Sequence, residues 1–173
     1  ETRRAIEAAH RAFPLWSSLR FQERSKLMLK IADTWDKRSQ DFVIAAQFEG
    51  GGSYGKGMFE AGHVSETFRA AAGLCYGAIG EILPSQNGKF STAVRVPTGV
   101  VGVISPWNVP GILTSRGFAF AMAIGNTIVL KPSEETPYAG GLFFAEILEE
   151  AGVPNGVFNV ITASRDRTPE VGD

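Results

Sequence analysis

The chain has 173 residues, 44 % of them hydrophobic and 20 % charged, with a net charge of −1, values ordinary for one folded domain or parts of two. The near-neutral balance removes any electrostatic case for nucleic acid or an acidic membrane surface as partner, and the single cysteine, Cys75, rules out a disulfide within the chain. No charged-then-apolar leader opens the sequence and no apolar run reaches bilayer length, so a soluble, cytoplasmic protein is expected.

In chain order, the first third has helical periodicity. Ile6, Ala9 and Phe13 recur at helical spacing until Pro14 interrupts. Leu27, Ile31 and Trp35 mark a second helix, about Asp41 to Glu49 a third, and an alanine-rich stretch from about Phe59 to Leu74 a fourth. A glycine-rich break, GGGSYGKG, separates the last two. After Gly80 the pattern changes: Pro84 to Gly88 is turn chemistry, and Phe90 to Val96 alternates as a strand until Pro97.

From Gly99 onward, strands and helices alternate. Val100 to Ile104 is a short apolar run suited to a strand buried on both faces. Ile112 to Ile124 follows as a helix stopped by Gly125-Asn126, then Thr127 to Leu130 as a second strand. Thr136 and Pro137 form a cap and first-turn start for the next helix, whose buried face holds Phe144, Leu148 and Ala151. Gly152 and Pro154 end it, and Val157 to Thr162 is the third strand. The expected class is therefore α/β: an N-terminal helical segment over residues 1–80, an extended segment over 81–98, and a Rossmann-like βαβαβ parallel-sheet unit over 99–173.

Ligands of such sheets gather at the carboxyl ends of the strands. Two of those ends carry unusual residues: Ser105-Pro106-Trp107-Asn108 after the first strand and Lys131-Pro132-Ser133-Glu134 after the second. Glu134 can serve a ribose hydroxyl pair, or simply favour the positive end of the following helix. Asn108, flanked by prolines, is either a turn residue bonded to its own backbone or a positioned amide that donates to a developing oxyanion.

The stretch GVVGVISPWNVPGILTSRGFAFAMAIGNTIVLKPSEETP resembles the cofactor-binding region of the NAD(P)-dependent aldehyde dehydrogenase superfamily. The opening AIEAAHRAFPLWSSLRFQERSKLMLKIADTW resembles that family's paired N-terminal helices, and EEAGVPNGVFNVIT its third Rossmann-type unit. The resemblance implies oxidation of an aldehyde to a carboxylic acid through a thiohemiacetal, with NAD as cofactor and NADP left open. It implies that Asn108 donates to the substrate oxygen and that Lys131, Ser133 and Glu134 hold the adenosine ribose. Ile104, Ser105, Pro106 and Trp107 would line the cofactor cleft. The segment from Phe90 to Arg95 resembles an oligomerisation strand, which implies a homodimer or homotetramer.

Val109 stands where many members have Phe, Gly117 where many have Lys, and Phe120 where many have Pro. Arg116 resembles the aromatic-aldehyde branch, the benzaldehyde and vanillin dehydrogenases, and makes Val109, Leu113 and Arg116 candidates for the pocket wall. The family's nucleophilic cysteine, general-base glutamate and catalytic domain are absent from the chain, so it is expected to be an N-terminal portion of a longer enzyme, with EVGD (170–173) the approach to a cofactor loop. Cys75 has no basic neighbour in sequence to generate a thiolate and is read as a small core residue. Gly50 to Gly57 approaches a P-loop but lacks the hydroxyl residue and the preceding strand. His10 and His63 are isolated, and no metal is expected. The competing readings are a related acyl-phosphate or semialdehyde reductase and a non-catalytic nucleotide-binding or assembly module.

Overall fold

The computed structural model describes residues 1–169, so EVGD lies outside the described residues. Three long helices come first: α1 (Thr2–Ser18), α2 (Phe21–Gly50) and α3 (Tyr54–Leu74). An antiparallel hairpin follows, β1 (Gly80–Leu83) and β2 (Ser91–Val94). The remainder alternates: β3 (Val100–Ile104), α4 (Pro110–Ala123), β4 (Thr127–Lys131), α5 (Phe143–Ala151) and β5 (Phe158–Val160). The last three strands form one parallel sheet in the order β3-β4-β5, which is the expected α/β class with a βαβαβ unit.

Several boundaries differ from the sequence reading. The second and third expected helices are one helix, α2, because no glycine or proline falls between Trp35 and Asp41 to break it. Pro14 lies inside α1, which runs on to Ser18. Its missing N–H removes one ladder bond, and burial of Trp16 further along the same helix holds the turn together. Strand β1 escaped the periodicity because all four of its residues are exposed, so nothing imposes alternation on them. Strand β3 is not buried on both faces: it is the sheet edge, and Ile104 is 60 % exposed. Strand β4, in the centre, is buried throughout.

The alternating side chains of β4 sort the layers. Val129 packs with Ala9 of α1 and with Ile161 on one face. Ile128 and Leu130 join the main core with Phe118 of α4 and with Phe143, Phe144 and Ile147 of α5 on the other. Helices α2 and α3 lie outside α4 and α5. Trp35 of α2 sits 4.9 Å from Phe42, 5.4 Å from Phe143 and 5.0 Å from Phe144, centroid to centroid. Trp16 donates its indole N–H to the Met122 carbonyl at 3.0 Å, tying the end of α1 to that of α4. Arg24 donates to the carbonyls of Ser17, Leu19 and Ala123, placing one cation at two helix C-termini.

Candidate active site

The strand ends named from sequence stand next to one another. Ile104 pairs with Lys131 in the parallel register, and the Ser105 backbone N–H donates to the Lys131 carbonyl at 3.1 Å. Beyond this pair the two loops diverge, one through Pro106-Trp107-Asn108 into α4 and the other through Pro132-Ser133-Glu134 toward α5.

Asn108 is exposed, and among the described residues its side chain has no hydrogen-bond partner, its own turn included. The amide is therefore not consumed by local turn geometry. Trp107 beside it is 53 % exposed. Ser105 is buried with its hydroxyl oxygen unpaired. Lys131 is 5 % exposed, and no carboxylate lies within ion-pairing distance of its ammonium among the described residues. Its stem is buried because β4 is the central strand, but Nζ is not among the buried unpaired polar atoms, so the ammonium reaches the surface at the strand end.

Glu134 has a protein partner. The backbone N–H of Arg165 donates to its Oε2, and the Arg165 guanidinium lies 3.3 Å from its Oε1. Arg165, on a 3₁₀ turn after β5, also reaches to 3.8 Å from Glu135. Ser133 accepts from the Glu135 N–H at 3.3 Å, closing the turn that aims Glu134. Along α4, Val109 and Leu113 are half-buried while Arg116 and Phe120 are exposed, so these side chains share one flank that starts at Asn108. A Cβ on Gly117 would stand 2.7 Å from Cγ1 of Val103. Helix α4 thus packs closely on β3 at this point, and a side chain at 117 would have to displace Val103.

Two carboxylates not singled out from sequence complete the arrangement. Helix α4 begins with Val109 at the cap position and Pro110 in the first turn, with no capping side chain of its own. Glu60 of α3, fully buried, accepts from the Gly111 N–H at 3.0 Å, and Lys56 pairs with its other oxygen. The α5 segment begins with a π-turn, Tyr138–Leu142. Thr136 does not cap it, for its hydroxyl is buried and unpaired. Glu49 of α2 accepts instead from the N–H groups of Tyr138 at 2.9 Å and Ala139 at 2.7 Å. Partners 51 and 89 residues apart leave no local pattern. The signal available was indirect: a helix start with Val and Pro must find its acceptor elsewhere. Protein carboxylates thus occupy both helix starts, which closes them to a ligand phosphate.

Cys75 is buried in the core, with its thiol 3.3 Å from the Ala123 carbonyl. Burial pushes its pKa up, against an opposing pull from Arg24, so it is not poised as a nucleophile. The glycine-rich break is a helix junction. Gly51 takes the left-handed conformation at φ 64°, and Ser53 accepts from the Lys56 N–H to start α3.

Residues 1–171 match the protein-family model for the aldehyde dehydrogenase family. The chain belongs to the aldehyde dehydrogenase family. A benzaldehyde dehydrogenase [NAD(+)] of Pseudomonas putida is 40 % identical over 163 residues, covering 94 % of this chain and 34 % of that protein. A vanillin dehydrogenase of an Amycolatopsis strain is 40 % identical over 151 residues, 87 % of this chain and 31 % of that one. The crystal structure of an NAD-dependent benzaldehyde dehydrogenase from Corynebacterium glutamicum superposes with a TM-score of 0.94 at 34 % identity, covering 98 % of this chain and 36 % of that one. A salicylaldehyde dehydrogenase from Pseudomonas putida G7, solved with salicylaldehyde, gives 0.94 at 33 % identity, covering 98 % of this chain and 35 % of that one. The chain thus spans about a third of the length of these aldehyde dehydrogenases.

Proposed function

We propose that this chain supplies the oxyanion-stabilising amide and the adenosine-binding edge of an NAD-dependent aldehyde dehydrogenase acting on aromatic aldehydes. The observation that carries this reading is that an unengaged Asn108 amide and a Lys131 ammonium without a carboxylate partner among the described residues follow from adjacent strand ends.

In this reading Asn108 donates from its side-chain NH₂ to the aldehyde oxygen as that oxygen gains negative charge, a contribution of roughly 2.7–4 kcal/mol to barrier lowering for one preorganised donor. Lys131 and Ser133 donate to the adenosine ribose, and Glu134 accepts from it. Ile104, Ser105, Pro106 and Trp107 form the wall between the two. NAD, when bound, supplies the hydride acceptor. Because Cys75 is buried with its pKa raised, the attacking thiolate comes from residues other than these. Val109, Leu113 and Arg116 line the aldehyde side; the aromatic preference rests on Arg116 together with the benzaldehyde, vanillin and salicylaldehyde dehydrogenases among the relatives.

A carboxylate at position 134 repels a 2′-phosphate and favours NAD, while Lys131, Ser133 and the adjacent Arg165 leave use of NADP open. The β1–β2 hairpin exposes Ile82, Phe90 and Val94, and Val96 just after it is exposed too, an apolar edge that fits a homodimeric or homotetrameric assembly. No helix among the described residues is long and apolar enough to cross a membrane, which fits a cytoplasmic enzyme.

The test is an activity panel on the whole protein that carries this chain: benzaldehyde, vanillin and aliphatic aldehydes with NAD and with NADP, alongside reduction of an acyl phosphate. Faster NAD reduction with the aromatic aldehydes supports the reading. Acyl-phosphate reduction without aldehyde oxidation, or no turnover of either class, overturns it.

A further inference from the structure

Among the described residues, Glu60 is a carboxylate with 0 % exposure, and it lies on α3, outside the strand-end site. A buried carboxylate is costly unless its lone pairs are satisfied by donors and its charge is met. Both conditions hold here. Oε2 accepts from the Gly111 N–H at 3.0 Å, and Oε1 pairs with the Lys56 ammonium one helical turn earlier. Lys56 is itself placed by the Ser53 cap at the start of α3.

The recipient of this bond is what gives it meaning. Pro110 has no N–H and Val109 has no capping oxygen, so Gly111 carries the first free donor of α4. The Val109 carbonyl accepts from the Leu113 N–H at 3.0 Å to start the ladder, and Glu60 adds the acceptor that the Gly111 N–H lacks within the turn. The fit is close: a Cβ on Gly111 would stand 2.6 Å from Cζ of Phe42 and 3.3 Å from Oε2 of Glu60. The first turn of α4 is thus seated against an aromatic ring and a carboxylate, with room only for a glycine. Asn108 lies three residues before Gly111, just ahead of the cap residue Val109, and its side chain has no hydrogen-bond partner among the described residues. Its position is inherited from the backbone that Glu60 anchors. The pairing with Lys56 has a second consequence. An unneutralised carboxylate near an oxyanion site would oppose the charge that develops there, and the ammonium cancels it.

We propose that Glu60 is a positioning residue for the Asn108 amide. It acts through the Gly111 N–H, and Lys56 keeps the anchor electrically neutral. This rests on the reading of Asn108 as the oxyanion donor.

The test is a double-mutant cycle on the whole protein, with aldehyde turnover, NAD affinity and thermal midpoint measured for each variant. Glu60→Leu, which lacks an acceptor, is expected to lower turnover by up to about 10²-fold, as displacement of a catalytic group by about 1 Å does. NAD affinity is expected to stay within about twofold. Glu60→Gln keeps one oxygen for Gly111, and Lys56 is 40 % exposed and free to turn to water, so this variant is expected to recover most of the lost turnover. The deciding arm is Glu60→Leu combined with Asn108→Ala. If Glu60 works through Asn108, the pair costs no more than Asn108→Ala alone. Additive losses, or unchanged turnover in Glu60→Leu, overturn the positioning role while leaving Asn108 in place. Wild-type turnover in Asn108→Ala removes the oxyanion reading and the positioning role together. Should Glu60→Leu fail to fold, the same cycle is run with Glu60→Met, which also lacks an acceptor for the Gly111 N–H but keeps the unbranched shape of the glutamate, with the same two outcomes.

Discussion

The backbone N–H of Ser105 donates to the carbonyl of Lys131 at 3.1 Å. This bond extends the β3–β4 ladder one step beyond the last paired residues and holds the two strand-end loops together. Sheet geometry holds the two strand ends about 4.8 Å apart; Lys131 closes one strand, and Asn108 lies in the loop that leaves the other.

Lys131 gives a signed pair of outcomes. Lys131→Met should weaken NAD binding by about 10–100-fold, the range expected on losing a charged donor, when measured by titration of the whole protein. The same substitution should leave the thermal midpoint unchanged or raise it, because Lys131 has no carboxylate to lose and Met fits an apolar central strand. A loss of stability with NAD affinity intact would mean that Lys131 serves the fold and not the cofactor.

Glu134 tests cofactor choice. Its carboxylate is shared with Arg165, 3.3 Å away, so the ribose contact must coexist with that ion pair or displace it. Glu134→Gln should weaken NAD by about tenfold, in line with loss of a charged acceptor, and NADP by less, since repulsion of a 2′-phosphate is relieved at the same time. Isothermal titration with both cofactors measures this, and equal losses would take Glu134 out of the ribose site.

How much of this could be read from the chain divides along physical lines. The βαβ alternation, the strand ends and the helix after Asn108 were legible because burial leaves short unbroken apolar runs and longer apolar helices between turn residues close in sequence. Central β4 and helix α4 are the clearest instances. The hairpin strand β1 was illegible, since all four of its residues are exposed and nothing in the chain sorts them into two faces. The join of two expected helices into α2 was missed because a polar stretch, Lys37 to Gln40, mimics a boundary while lacking any true breaker. Glu49 and Glu60 were illegible for another reason. Each looks like an ordinary helical acid, and only the fold brings it to a helix start far along the chain. Arg165 reaches Glu134 by the same kind of long-range placement.

Glu49 offers the corresponding stability prediction. Its two oxygens accept from Tyr138 and Ala139 at 2.9 and 2.7 Å, replacing a cap that Thr136 does not provide. Glu49→Ala should cost about 2–4 kcal/mol, the combined scale of two charge-assisted cap bonds, seen as a lower denaturant midpoint at unchanged slope. Glu49→Gln, which keeps an acceptor, should cost less than half as much. A shift under about 0.5 kcal/mol for the alanine variant, the size of an ordinary surface substitution, would show that the cap bonds are replaced by water without loss.

The most direct measurement is turnover of Asn108→Ala in the whole protein, with NAD affinity determined in parallel. If the amide of Asn108 meets the oxygen of the aldehyde under attack, turnover falls by about 10²–10³ while the cofactor Kd stays within about twofold. Unchanged turnover, or a matching loss of cofactor binding, would contradict that role.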